Sequence, residues 1–337
     1  MQEIPDDWLR IRTIDAHAEG EPLRVIIEGF PHPPGGTVLD RRRYAREHLD
    51  DLRRALMLEP RGHADMYGCL VMPPVRRDSD ISVLFMHNEG WSTMCGHGVI
   101  AATTTLIQMG MADAGEGSML TIDTPAGRVE ARASVDGDRV TSVAFRNVPS
   151  FAVALDATVD VPGLGTVRYD LAFGGAFYAY ADASALGLDL VPEGAADLIA
   201  AGRAIKKAVS GRGGIDHPED PELGFLYGTI FIGPPEDGER HSRHVCIFAD
   251  GEVDRSPTGT GVSGRLAILR ERGELGDEPI EIESIVGGRF SGRIVDSASV
   301  GPYRAVIPEI GGRAFVTGRH EFLIDPEDPW RRGFLIR

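Results

Sequence analysis

An internal repeat is the feature that most constrains this chain. Residues 93–110, TMCGHGVIAATTTLIQMG, and residues 256–273, SPTGTGVSGRLAILRERG, share one pattern. In each, X-Gly-X-Gly-Val opens a helix-compatible stretch that closes on a glycine, and Cys95 and Thr258 hold the same place in the two copies. Each copy also follows a short apolar run, ISVLFMH in one and HVCIFAD in the other. A strand, a glycine turn and a helix repeated once indicate two similar halves, each with a helix entered through glycines. The boundary is expected at 148–151, giving a first domain over 1–150 and a second over 151–314, with the segment from about 315 to 337 packing with the first. At 337 residues the chain is long enough for two cores.

Around the repeat, apolar β-branched runs bounded by Gly, Pro or Asp recur: RVIIEGF, GTVLD, ISVLFMH, SMLTIDT, RVTSVAF, TIFIGPP, HVCIFAD, PIEIESIVG and RAFVTG. They read as strands. Helical spacing falls over 41–57, 99–109, 195–208 and 262–271. Strands arrive in runs instead of alternating with helices, so the fold class is mixed α/β (α+β), neither Rossmann nor TIM barrel.

Charge removes several functions. A net charge of −16 and a pI near 5.1, with no run of Lys or Arg, exclude nucleic acid as a partner. The opening MQEIPDDWLR has no basic stretch leading into an apolar one, and no segment is apolar over a bilayer's width. A cytoplasmic protein without a membrane partner is the expectation. Cys69, Cys95 and Cys246 are too scattered for a disulfide framework or a zinc site. Lys206 and Lys207 are the only lysines, which argues against most Schiff-base chemistry.

Glycines at a helix start let the backbone approach a ligand and leave the first N–H groups free, which makes an anion site. Two such turns face to face would grip a carboxylate. A cysteine at a helix N-terminus has its pKa lowered by the dipole and the free donors, so Cys95 is expected to be a thiolate near neutral pH and to act as base or nucleophile. Cys69 and Cys246, inside apolar runs, read as buried structural thiols. His97 lies between two glycines, where it can meet an anion or serve structure alone. Asp254, four residues before Thr258, either hydrogen-bonds an ammonium group or caps a turn. His17, Glu21, His63 and His217 sit in Gly- and Pro-rich turns, and loop chemistry accounts for them.

MCGHG at 94–98 and DRSPTGTG at 254–261, with DAHAEGEPLRV, RGHADMYG, TPAGRV, NVPSF and FGGAFYA in the same order, resemble the proline racemase family. That family includes hydroxyproline epimerases and trans-3-hydroxy-L-proline dehydratases, and the resemblance runs from about residue 14 to 322. It implies a diaminopimelate epimerase-like fold: two pseudo-symmetric domains, each a curled, mainly antiparallel sheet around a central helix, with the site between them. It implies a homodimer, no cofactor and no metal. A small imino acid would be bound by Gly96, His97, Asp254, Gly259 and Thr260, whose four turn N–H groups could each contribute roughly 2.7–4 kcal/mol to charge stabilisation. Racemases and epimerases of the family carry a cysteine at both turns, one on each face of the alpha carbon. Here the second position is Thr258, whose hydroxyl cannot exchange protons as a thiol does. The Cys95 and Thr258 pair is the dehydratase pattern, giving an enamine that tautomerises to Δ1-pyrroline-2-carboxylate. The alternatives left open are a 4-hydroxyproline 2-epimerase or proline racemase with an unusual second acid, and a non-catalytic carboxylate-binding protein.

Overall fold

The computed structural model describes residues 4–112, 117–236, 238, 240–276 and 278–336. Its α-helices are α1 (Val38–His48), α2 (Asp50–Met57), α3 (Gly96–Gln108), α4 (Ala195–Gly211) and α5 (Gly259–Arg272). No helix among the described residues is long and apolar enough to cross a membrane.

Strand pairing repeats once along the chain. In the first half, Ala314–Ile324 pairs with Leu9–Ala18, and that strand with Glu21–Glu28, both antiparallel. Glu21–Glu28 runs parallel to Tyr67–Met72, with α1 and α2 in the crossover, and Tyr67–Met72 pairs antiparallel with Ile81–His87. Ile81–His87 runs parallel to Met119–Thr124, with α3 in that crossover, and Gly127–Asp136 and Arg139–Arg146 complete the sheet. The second half follows the same order: Phe151–Val161, Gly165–Phe173 and Phe177–Asp182; a parallel step through α4 to Leu226–Gly233; Ser242–Phe248; a parallel step through α5 to Ile280–Glu283; then Arg289–Val300 and Tyr303–Gly312. The last strand of the chain thus supplies in the first half what Phe151–Val161 supplies in the second. Arg139–Arg146 pairs with Tyr303–Gly312, which joins the two sheets.

Each sheet curls around one helix. From Gly96 to Leu106, α3 is buried on every side, and α5 is buried from Gly259 to Leu269 except at Arg265. Helices apolar all round must be wrapped, and small or β-branched residues such as IAATTTL in α3 allow the sheet to close on them.

Three local expectations change. The stretch 41–57 is two helices, broken at Leu49, whose φ of −122° and ψ of 10° leave the helical region. GTVLD starts α1 instead of forming a strand: Thr37 Oγ1 accepts the Asp40 N–H at 3.0 Å while Asp40 Oδ2 accepts the Thr37 N–H at 3.1 Å, a reciprocal cap that outweighs β-branched propensity. Helices α3 and α5 begin three residues before the apolar spacing does, so the repeated glycines form their first turns and Cys95 and Thr258 are the capping residues.

Candidate active site

The N-termini of α3 and α5 meet end to end. A Cβ on Gly96 would stand 2.6 Å from the Gly259 Cα, and one on Gly259 would stand 2.8 Å from the Gly96 Cα. The later glycine of each turn serves packing on the strands: a Cβ on Gly98 would reach within 2.6 Å of the Phe85 ring, and one on Gly261 within 2.4 Å of Ile230 Cδ1. The repeat therefore records a close backbone approach. Gly96→Ala is expected to force the helix ends apart, destabilising the protein by about 1–3 kcal/mol as overpacking does and removing most binding of carboxylate ligands. Denaturant unfolding and ligand titration check the two effects separately.

At this junction lies a small pocket, lined in part by all seven residues singled out from sequence: Cys95, Gly96, His97, Asp254, Thr258, Gly259 and Thr260. Cys95 caps α3 with extended backbone, its Sγ accepting the Gly98 N–H at 3.2 Å and lying 3.1 Å from His97 Nδ1. Thr258 caps α5 at φ 65°, a left-handed conformation unfavourable for a β-branched residue. Two bonds hold it there: its N–H donates to Ser256 Oγ at 3.1 Å and its hydroxyl donates to Asp254 Oδ2 at 2.8 Å. The other Asp254 oxygen accepts the Ser256 N–H at 2.7 Å. By helix geometry the N–H groups of Gly96, His97, Gly259 and Thr260 have no partner within their helices, so both turns present donors at one place.

The proline racemase family model matches residues 13–335. The chain belongs to the proline racemase family. A trans-3-hydroxy-L-proline dehydratase of Colwellia psychrerythraea is 48% identical over 334 residues, covering 98% of this chain and 94% of that protein. A 3-hydroxyproline 2-epimerase of Burkholderia multivorans is 44% identical, covering 97% and 98%. Among solved structures, a hydroxyproline epimerase from Agrobacterium vitis with bound trans-4-hydroxy-L-proline superposes with a TM-score of 0.93 at 33% identity, covering 98% of this chain and 96% of that one. The fold is the diaminopimelate epimerase-like fold of this family, in two pseudo-symmetric halves.

Electrostatics in this proline racemase family pocket differ from the expectation for a bare helix N-terminus. Cys95 is buried, and burial pushes its thiol well above the ordinary range; the Gly98 N–H and the Tyr67 hydroxyl pull it down, while the Asp254 and Glu21 carboxylates push it further up. The shift thus runs opposite to the lowering expected at a helix N-terminus, because one turn of helix donors does not offset the lost hydration. His97 is held neutral, its pKa driven down to about 3 by burial and then by Arg255. Burial likewise raises Asp254, against its hydrogen bonds from Thr258 and Ser256.

Other pocket residues are not singled out by the sequence: Tyr67 and Tyr178 lie inside RGHADMYG and FGGAFYA, which carry the resemblance, whereas Tyr227 and Phe248 have no local signature. Tyr67, Tyr178, Tyr227 and Phe248 come from four strands far apart in sequence, with Tyr178 and Thr260 hydroxyls 2.7 Å apart. Cys246 is buried as expected, yet it lines the pocket, where burial pushes its thiol up and the Thr258 hydroxyl opposes the push. Cys69 is buried on Tyr67–Met72, outside the pocket lining. Glu21, read as a loop residue, is fully buried and bridges the halves: one carboxylate oxygen accepts the Arg255 backbone N–H at 2.7 Å and pairs with Arg255 Nε at 3.0 Å. His63 and His217 lie outside the pocket lining, His217 against Phe151 and Phe173, and His17 caps its own turn by accepting the Gly20 N–H. Among the described residues no group of three or more His, Cys, Asp or Glu side chains is placed to hold a metal ion.

Proposed function

We propose that the protein dehydrates trans-3-hydroxy-L-proline to Δ1-pyrroline-2-carboxylate, with Cys95 taking the alpha proton. The observation that carries this is a single thiol at the two helix caps, opposed by a threonine whose hydroxyl hydrogen is committed to Asp254. Substrate carboxylate sits on the paired N–H groups of Gly96, His97, Gly259 and Thr260, and the ring nitrogen faces Asp254. A cationic nitrogen there supplies the countercharge that lets the buried Cys95 ionise, its proton leaving to solvent as the substrate binds. As the proton leaves, charge flows onto the carboxylate, where preorganised donors stabilise it. Inversion would need a proton from the Thr258 face. With that hydroxyl turned to Asp254, loss of the beta hydroxyl is the remaining outlet.

The reading includes lobes of 1–150 with 315–337 and of 151–314, assembled as a homodimer. The relative named as a 3-hydroxyproline 2-epimerase and the epimerase structure support a second reading, inversion at the alpha carbon. Purified protein incubated in deuterated water with trans-3-hydroxy-L-proline, trans-4-hydroxy-L-proline and L-proline separates the two. Water loss from the 3-hydroxy substrate alone is expected; accumulation of an inverted amino acid carrying deuterium would establish the second reading instead.

The pH dependence follows from the directions of the two shifts. Cys95 is raised, so its thiolate fraction, and with it kcat/KM, should climb with pH through the alkaline range. His97, neutral down to about 3, contributes no inflection near the ordinary imidazole value of about 6.5. A kcat/KM profile that breaks at that imidazole value would contradict the assignment.

A further inference from the structure

The proposed reaction leaves one proton unassigned, the one that converts the departing hydroxyl to water. We propose that Tyr67, backed by Tyr227 and Ser92, is the acid that delivers it; the inference rests on the dehydratase reading above.

Stereochemistry narrows the choice first. In a trans-3-hydroxy-L-proline the hydroxyl is opposite the carboxylate, so it lies on the same ring face as the alpha hydrogen. Elimination is therefore syn, and the acid must stand on the Cys95 side. That excludes Thr258 and Asp254, which belong to the opposing turn and whose shared hydrogen is already bonded between them. His97 is on the correct side, but its ring is engaged by Cys95 Sγ at 3.1 Å and by the Pro22 backbone.

Tyr67 remains. It opens the strand Tyr67–Met72, lines the pocket, is buried, and packs edge-on to the His97 ring at 4.7 Å. Its hydroxyl donates to Ser92 Oγ at 2.7 Å, lies 3.0 Å from the Tyr227 hydroxyl, and interacts with the Cys95 side chain. Three hydroxyls in a chain can pass their hydrogens along by rotation, so the Tyr67 proton can turn to an incoming oxygen without leaving a buried acceptor unpaired. Burial keeps this phenol protonated, as an acid must be before the reaction.

The step balances. The C2–H bond breaks and its proton goes to Cys95 Sγ, while its electron pair becomes the C2–C3 double bond. The C3–O bond breaks with its pair on oxygen, which takes the Tyr67 proton and departs as water. The Cys95 S–H then returns its proton to the Tyr67 phenolate through their contact, restoring thiolate and phenol together. Substrate gives enamine and water, with no other reactant.

Tyr67→Phe keeps the ring and removes the acid. The test compares trans-3-hydroxy-L-proline with trans-3-fluoro-L-proline, whose fluoride needs far less protonation to leave. In the variant, turnover of the hydroxy substrate should fall about 100-fold more than fluoride release does, the lower end for general acid catalysis; loss of the Tyr67 hydrogen bond that lowers the Cys95 thiol slows both substrates alike and cancels in the ratio. Recovered hydroxy substrate should also gain deuterium at the alpha carbon, since Cys95 still works and the hydroxyl no longer departs. The ratio of the two substrates within one sample does not depend on how much variant is folded. A parallel fall on both substrates would overturn the acid role and leave Tyr67 a packing residue. Wild-type protein that does not dehydrate the hydroxy substrate would instead defeat the dehydratase reading itself.

Discussion

Cys95→Ala should lower kcat for dehydration by about 10³-fold or more, within the range of about 10²–10⁴ associated with a positioned base, while KM changes little. The proposed carboxylate donors belong to the backbone of α3 and α5, which the substitution leaves in place, so binding and proton removal should separate. Cys95→Ser should be nearly as inactive: its oxygen can accept the Gly98 N–H in place of sulfur, but a hydroxyl in a buried site does not ionise near neutral pH. The other two cysteines provide internal standards. Cys69 lines no part of the pocket, so Cys69→Ser should keep turnover within about threefold of wild type, below the smallest effect expected of a base. Cys246 touches the Thr258 side of the pocket and should show a loss between those two. Steady-state kinetics of the three serine variants, with folding checked by near-ultraviolet circular dichroism, decide the point. Equal losses at positions 69 and 95 would take the base assignment away from Cys95.

The sequence reveals what is local or repeated. The two glycine turns, the helices that follow and the capping places of Cys95 and Thr258 are legible because each depends on neighbours within a few residues. The seven turn residues it singles out converge on one pocket. Properties set by burial do not show in this way. The Cys95 shift runs opposite to the helix-dipole argument because surrounding sheet, rather than the helix, dominates its hydration. Glu21 reads as an ordinary turn residue, and nothing near it in sequence signals that Arg255, more than 200 positions away, will clamp it at the centre of the molecule. The Tyr67 and Tyr227 hydroxyls, 3.0 Å apart, come from different halves. His87 and Glu252, buried 3.1 Å apart, do the same. Such cross-half pairs form only after both sheets have closed on their helices.

Thr258→Cys should create inversion of trans-4-hydroxy-L-proline, at about 10²-fold or more above the wild-type background, as expected when a missing acid is supplied. This substrate carries its hydroxyl beyond the beta carbon, so once Cys95 has removed the alpha proton no elimination competes. Its carbanion can take a proton back from Cys95, with retention, or from the opposite face, with inversion. In the proposed arrangement that opposite face meets the Thr258 hydroxyl, which is hydrogen-bonded to Asp254 at 2.8 Å. A thiol in its place is a far stronger acid than a hydroxyl. The neighbouring carboxylate and burial would both favour its protonated form, the form an acid requires. The backbone is no obstacle: position 258 has φ of 65°, where an unbranched side chain is less strained than threonine. Geometry is the demanding part, because Cys95 caps its helix from φ −147° and Thr258 from φ 65°, so the two side chains leave their helices differently although both line the pocket. Chiral chromatography in deuterated water, wild type beside variant, reads both routes at once. Deuterium in inverted product shows the new thiol acting across the ring from Cys95; exchange with retention alone, in a folded variant, would mean that residue 258 does not reach the alpha carbon.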